Sequence, residues 1–226
     1  MNPIYPDLSF PPAPASRPYI YINMVTTIDG KIVTKDNTVS IKGLGSKLDY
    51  ETMRYIETHS DAVMVGAQNV RATPGMWYPE GVKRLVVTES GRLDFSQRFF
   101  TDDPERTWVI LPQKSRATIP NWVQSVSFGE NEINWDKTLQ HLRDKLKITN
   151  LLVEGGAELN GSLLPLDKVD ELFLTLAPKI KLGRDLPTYA GGLPLPGDTM
   201  QYYEIVHHQM VENEIYVRYR RCWEAD

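Results

Sequence analysis

The chain has 226 residues, 41% hydrophobic and 24% charged, a globular composition that excludes wholesale disorder and fits one domain with an appendage. Its 25 basic and 29 acidic residues leave a net charge of −4, which gives no general attraction for nucleic acid or for an anionic membrane. The single cysteine, Cys222, forms no internal disulfide, and with His59, His141, His207 and His208 it offers no zinc-ligand spacing, so a reducing, cytoplasmic setting without a metal is expected.

Residues 1–16 read as a Pro-rich arm ahead of one domain spanning 17–226. Pro3, Pro6, Pro11, Pro12 and Pro14 fix φ and withhold N–H donors, which favours an extended, loosely held arm or a strap to another subunit. The start carries no apolar signal segment, and no run of ~18 apolar residues suggests a spanning helix. From Arg17 onward, β-branched and aromatic runs alternate with amphipathic or glycine-punctuated segments, the pattern of an α/β domain. The strands predicted in order are Tyr19–Met24, Ala62–Val65, Arg84–Thr88, Trp108–Leu111, Ser125–Phe128, Asn150–Val153, Glu171–Ala177, Tyr203–Met210 and Ile215–Arg221. The last two form an antiparallel hairpin across 212–214, so the sheet is mixed. Trp135, Leu139, Leu142 and Leu146 predict a helix over Trp135–Lys147 capped by Asn134, and further helices are predicted at Leu48–Thr58 and around Ala157–Leu164. Between the last helix and the hairpin, Gly183–Gly197 reads as a long loop of the kind that often serves function.

Three segments carry chemistry. In Leu151-Leu152-Val153-Glu154-Gly155-Gly156-Ala157-Glu158-Leu159-Asn160 an apolar strand runs into an acidic residue, two glycines and a helix start. Free N–H groups and close backbone approach suit a dinucleotide pyrophosphate there, although a tight turn alone also demands glycine. Thr26-Thr27-Ile28-Asp29-Gly30-Lys31 groups hydroxyls, a carboxylate and a cation, and reads equally as Asp-Gly turn chemistry. Asp61-Ala62-Val63-Met64-Val65-Gly66 is a buried strand ending at glycine, where ligands of α/β sheets collect. Trp77 and Tyr78, set among Pro74, Gly75 and Pro79, could stack on a flat heterocycle or simply anchor a loop. His207 and His208 alternate faces of one strand and cannot share a pocket.

Taken in order, Arg17-Pro18-Tyr19-Ile20, Thr27 to Lys31, Asp61 to Gly66, Leu152-Val153-Glu154-Gly155-Gly156-Ala157, Val169-Asp170-Glu171-Leu172 and Ala177-Pro178-Lys179-Ile180 resemble the riboflavin-biosynthesis pyrimidine reductases. These are the reductase half of the bifunctional deaminase-reductase and its free-standing relatives, and the resemblance covers about residues 17–221. It implies a dihydrofolate-reductase-like α/β fold with a mixed, mainly parallel central sheet flanked by helices and a C-terminal antiparallel hairpin. It also implies a homodimer and an NADPH-dependent reduction of the ribosylamino group of a pyrimidine ribosyl 5′-phosphate to ribitylamino, with NADH kept as the alternative cofactor. The zinc deaminase half has no counterpart here.

Matched position by position, the resemblance puts the cofactor pyrophosphate at Gly156, Ala157, Glu158, Leu159, Asn160, Gly161 and Ser162, with Gly155 also in the cofactor set, and the nicotinamide beside Val25 and Thr26. Gly66, Asn69, Glu89 and Ser90 complete the cofactor set, and Ser40, Thr73, Trp77 and Glu154 form the substrate set. Asn69 and Thr73 stand where the family has a threonine and an aspartate. Glu57 replaces a substrate-holding arginine, for which Arg54, Lys42 or Lys47 would compensate, and Glu89 replaces a serine facing the 2′-phosphate. No strong general acid stands out; Asp29 and Glu154 are the nearest candidates for a catalytic role. A reductase of a pterin or another cyclic imine and a non-catalytic nucleotide-binding module are the alternative readings.

Overall fold

The computed structural model describes residues 2–34, 43–115 and 118–223. Numbered in chain order, the strands are β1 (Tyr19–Thr27), β2 (Ala62–Gly66), β3 (Lys83–Val87), β4 (Thr107–Ile110), β5 (Gln124–Val126), β6 (Asn150–Val153), β7 (Glu171–Ala177), β8 (Tyr203–Val211) and β9 (Glu214–Arg221). The helices are α1 (Lys47–Glu57), α2 (Ala67–Ala72), α3 (Arg98–Thr101), α4 (Trp135–Asp144) and α5 (Ala157–Leu163). All the strands belong to one sheet, in the order β5-β4-β3-β2-β6-β1-β7-β9-β8. Pairing is parallel from β5 through β7 and antiparallel where β9 meets β7 and β8, the mixed sheet with a terminal hairpin that the pattern predicts.

Residue chemistry accounts for this order. Residues 62–65 of β2 and 151–153 of β6 are apolar and buried without a break, as strands covered on both faces must be. Alternate residues divide the core in two: Tyr19, Tyr21, Val63, Val65 and Leu152 pack on one face, and Ile20, Ile22, Met64, Leu151 and Val153 on the other. The hairpin turns through Glu212 and Asn213, both at positive φ (50° and 70°), the two-residue geometry that matches strand twist. Asn134 caps α4 as expected, its side chain accepting from the Lys137 amide at 3.0 Å. The helix nevertheless stops at Asp144, three residues before the expected Lys147, because Lys147 turns left-handed (φ 57°) and the Ile148 amide reaches back to the Leu142 carbonyl.

The Pro-rich segment is not loosely held. Ile4, Tyr5 and Leu8 are buried, Phe10 stacks on Tyr21 at 4.1 Å between ring centroids, and Tyr5 meets Phe173 edge-on at 5.2 Å. Asn2 fixes its start, accepting from the Ile4 and Tyr5 amides and donating to Thr52 Oγ1 on α1. Apolar residues set between prolines thus cover an aromatic sheet face, and the missing proline N–H groups cost nothing where no ladder is needed. A second tie comes from Val169-Asp170-Glu171-Leu172: Arg17 grips Asp170 through two bonds of 2.6 and 2.8 Å, and buried Glu171 accepts from Tyr19, Arg218 and Arg220.

Truncating Ile4 to alanine therefore opens a cavity in the core and lowers stability by about 2–5 kcal/mol. Urea unfolding of Ile4→Ala measures this, and an unchanged midpoint would mean that the arm contributes nothing to the fold.

Candidate active site

Parallel strands β2, β6 and β1 are neighbours, so their carboxyl ends open on one edge of the sheet, at Gly66, Glu154 and residues 24–27. The chain leaves β6 through Glu154-Gly155-Gly156 and enters α5. Gly155 sits at φ +64°, and a Cβ there would lie 3.0 Å from Met24 Sδ, so both conformation and space demand glycine. Two backbone bonds and one side-chain bond pin the turn between its neighbours: Gly66 N donates to Gly155 O at 2.7 Å, Glu154 N to Met64 O at 3.0 Å, and the Asn69 side-chain Nδ2 to Glu154 O at 3.0 Å. On the open side, a Cβ on Gly66 would stand 3.6 Å from Gly155 O and Gly156 N, and one on Gly156 would stand 3.4 Å from Asn69 Oδ1. Side chains at these two glycines would fill a cradle between the turn and α2.

Beyond Gly156 the expected contact residues are mostly committed elsewhere. Ala157, Leu159 and Asn160 are buried, and Asn160 Nδ2 donates to Tyr189 O at 2.6 Å. A Cβ on Gly161 would lie 2.3 Å from Gly191 O, so Gly161 serves the close approach of the 183–197 loop. Ser162 Oγ donates to Leu159 O, while Glu158 is exposed beside Gly191. The part of this run that faces the cradle is Gly155, Gly156 and the start of α5. Val25 is half-buried and Thr26 buried at the end of β1.

The Glu154 side chain turns into a buried cluster. Its Oε2 accepts from the Tyr78 hydroxyl at 3.1 Å, and its carboxyl is a hydrogen-bond neighbour of Glu57, the last residue of α1, which is 0% exposed. Arg54 Nη1 donates to Glu57 Oε2 at 2.7 Å and to the Trp77 carbonyl at 2.8 Å, with its guanidinium 4.5 Å from the Trp77 ring centroid. Burial pushes both carboxyls toward the protonated form, and the neighbouring carboxylate raises Glu57 further against the pull of Arg54. Arg54 is therefore engaged by Glu57 rather than free to clamp a phosphate. Tyr78 is buried with its hydroxyl drawn to Glu154, and Trp77 is the aromatic of the pair that stays exposed, over Arg54.

Asp29 lies apart from this cluster and ties two loops. Thr27 Oγ1 donates to it at 2.6 Å, and the Lys181 and Leu182 amides donate to it at 3.1 and 2.7 Å. These bonds, the Thr27 one foremost, hold its carboxyl down at about 2, which keeps it ionised and unsuited to donate a proton at neutral pH. Thr73 is half-buried just past α2, its amide bonded to the Asn69 carbonyl. Ser40 and Lys42 lie outside the described residues. Glu89 and Ser90 line an open cleft of about 470 Å³ with Arg92, Pro112, Lys114, Ser115 and Asn131, beyond the ends of β3 and β4. Among the described residues no cluster of three or more metal-ligating side chains occurs, and no helix is long and apolar enough to cross a membrane.

The sequence profile of the RibD C-terminal domain matches residues 18–217. The chain belongs to that family. A 2,5-diamino-6-ribosylamino-4(3H)-pyrimidinone 5′-phosphate reductase from Archaeoglobus fulgidus is 27% identical over 195 residues, covering 78% of this chain and 87% of the relative. A pyrimidine reductase-like protein of Corynebacterium diphtheriae superposes with a TM-score of 0.75 at 19% identity over 92% of this chain and 93% of its own. Dihydrofolate reductase from Enterococcus faecalis shares the fold at a TM-score of 0.51 and 10% identity, over 89% of this chain and 95% of its own, which makes the architecture dihydrofolate-reductase-like.

Within this RibD-type domain, Glu57 and Tyr78 are the residues whose burial the sequence does not signal. Glu57 reads as a charge reversal and Tyr78 as either a stacking ring or a loop anchor, and in the structure both close the floor around Glu154. The three-residue spacing of Arg54 and Glu57 on a helix signals their ion pair, but nothing local signals its burial.

Because the folded protein holds Asp29 below the ordinary carboxylate range, its bonds add stability that is present above about pH 4 and lost as pH falls toward about 2. Asp29→Asn should flatten that part of the acid unfolding curve. An acid limb identical to the wild type would show that the tie between residues 27–29 and 181–182 does not form.

Proposed function

We propose that this chain is a nicotinamide-dependent reductase that converts the ribosylamino group of a pyrimidine ribosyl 5′-phosphate to ribitylamino. The observation that carries this reading is the family match over residues 18–217, which includes the Glu154-Gly155-Gly156 turn at the joint ends of β1, β2 and β6. The name of the Archaeoglobus relative supports the substrate class.

The residues present fit the cofactor. Gly66 and Gly156 leave open the cradle that side chains would fill, which suits a pyrophosphate lying against backbone, and Asn69 borders it. Val25 and Thr26 at the end of β1 suit the nicotinamide side. The cleft beyond β3 and β4 sets Ser90, Arg92 and Lys114 together, and two cations with a hydroxyl suit a 2′-phosphate, which favours NADPH over NADH. Glu89 is exposed at the rim, and Glu130 partly offsets Lys114 at 2.5 Å. When bound, the dihydronicotinamide supplies the hydride. The chain contributes alignment: the turn holds one ligand on its glycine side, while Trp77 and the floor around Glu154 border the other. The exposed apolar residues Ile205, Met210 and Ile215 of the β8–β9 hairpin support the homodimer that the family resemblance implies.

Purified protein given the diaminopyrimidinone ribosylamino phosphate should oxidise NADPH and yield the ribityl product. Replacing Arg92 and Lys114 together by alanine should raise KM for NADPH about tenfold and leave that for NADH unchanged. NADPH binding without oxidation by this pyrimidine or its deaminated counterpart would contradict the substrate, and equal effects on both cofactors would contradict the 2′-phosphate cleft.

A further inference from the structure

The cluster beneath the turn holds more acid than base. Glu57 and Glu154 bring two carboxyls into hydrogen-bonding reach, and Glu57 is wholly buried. Arg54 on α1 is the cation that faces them, and it divides its Nη1 between Glu57 Oε2 and the Trp77 carbonyl. The remaining ionisable groups around the pair are phenols: Tyr78 from the 73–82 segment donates to Glu154 Oε2, Tyr50 lies against Arg54 on α1, and Tyr21 of β1 packs on the same side of the sheet. That arrangement serves one oxygen of each carboxyl. The other, Oε1 of Glu57 and Oε1 of Glu154, is buried on both residues and meets no donor.

Two full negative charges beside one guanidinium would leave a net charge and two unsatisfied acceptors in the interior, which burial strongly disfavours. A proton between the carboxyls removes both defects, because one becomes a donor to the other and the remaining charge equals that of Arg54. We propose that Glu57 and Glu154 share a single proton at neutral pH, and that Glu57 is thereby the positioning residue that holds Glu154 beneath the ligand-binding turn. Glu154 directly precedes Gly155, and its own carbonyl carries the Asn69 bond, so rotation of the residue disturbs the cradle. Loss of the proton at alkaline pH sets two carboxylates against each other and loosens the turn. The direction of both carboxyls toward the protonated form agrees with this arrangement.

The catalytic consequence rests on the reductase reading, whereas the shared proton does not, so the test has two arms. In the free protein, glutamate side chains labelled with carbon-13 at the carboxyl are followed by NMR from about pH 4 to about pH 10, a range that spans ordinary glutamate ionisation. One carboxyl should remain protonated at pH 7 and should be lost in Glu57→Gln, whose amide still donates to Glu154 and preserves the fold. Every glutamate ionised at pH 7 in the wild type would overturn the proposal. In the second arm, kcat/KM of the wild type should fall at alkaline pH, and that fall should vanish in Glu57→Gln, which has no proton to lose there. Glu57→Ala, which strands Glu154 and Arg54 without the hydrogen bond, should lose about tenfold at every pH. An alkaline limb unchanged in Glu57→Gln would overturn the positioning role while leaving the reductase intact. A protonated pair in a protein that turns over no pyrimidine would remove the reductase reading and uphold the shared proton.

Discussion

Met24 Sδ lies 3.0 Å from the point where a Cβ on Gly155 would stand, so β1 and the turn after β6 can meet only at a glycine. Much of the site follows from that closeness. With Gly155 held at φ +64° and its carbonyl bonded to Gly66, the chain reverses tightly enough to start α5 directly over the ends of β2 and β6. Glu154, one residue earlier, is driven down toward α1, while Gly156, one residue later, opens toward α2. A single turn thus separates a polar, acid-containing floor from a bare backbone cradle, and two ligands that must touch each other can be held from opposite sides of it.

Buried charge is handled differently at Glu171 and at Glu57. Glu171 is as fully buried as Glu57, but it receives two arginines and a tyrosine hydroxyl, so each of its oxygens has donors and its charge is more than balanced. That cluster ties β1, β7 and β9 together and, through the bond of Arg218 to the Ser9 carbonyl, also fastens the N-terminal segment. Beneath the turn the ratio is reversed, with two carboxyls to one arginine. The first arrangement is what a structural ion cluster requires, whereas the second calls for a proton and gives the site a titratable group.

Much of the fold was legible because its signals are local. Apolar runs such as residues 62–65 and 151–153 announce buried parallel strands, Asn134 announces a helix start, and Gly155-Gly156 announces a tight reversal before α5. Helices α2 and α3 escaped notice because six and four residues are too few to show a period. The packing of the arm is not local: its prolines describe the backbone, but whether Ile4, Tyr5 and Phe10 find a partner depends on an aromatic sheet face assembled from β1 and β7. The site divides in the same way. Gly66, Gly155, Gly156 and Asn69 converge as their positions in the motifs imply. Asp29 and Gly161 meet neighbouring loops, and Asn160 gives its Nδ2 to the Tyr189 carbonyl, contacts between distant segments that no local motif announces. Glu57 became visible only through tertiary burial, which its charge argues against.

The central claim is that the Glu154-Gly155-Gly156 turn is the partition between cofactor and substrate. A crystal structure of the protein with NADP+ and the ribitylamino pyrimidine phosphate bound together tests it most directly. The account predicts the pyrophosphate against Gly66 and Gly156, the nicotinamide beside Val25 and Thr26, and the heterocycle on the Glu154 and Trp77 side. Both ligands lying on one side of the turn, or a pyrophosphate held away from Gly156, would contradict it.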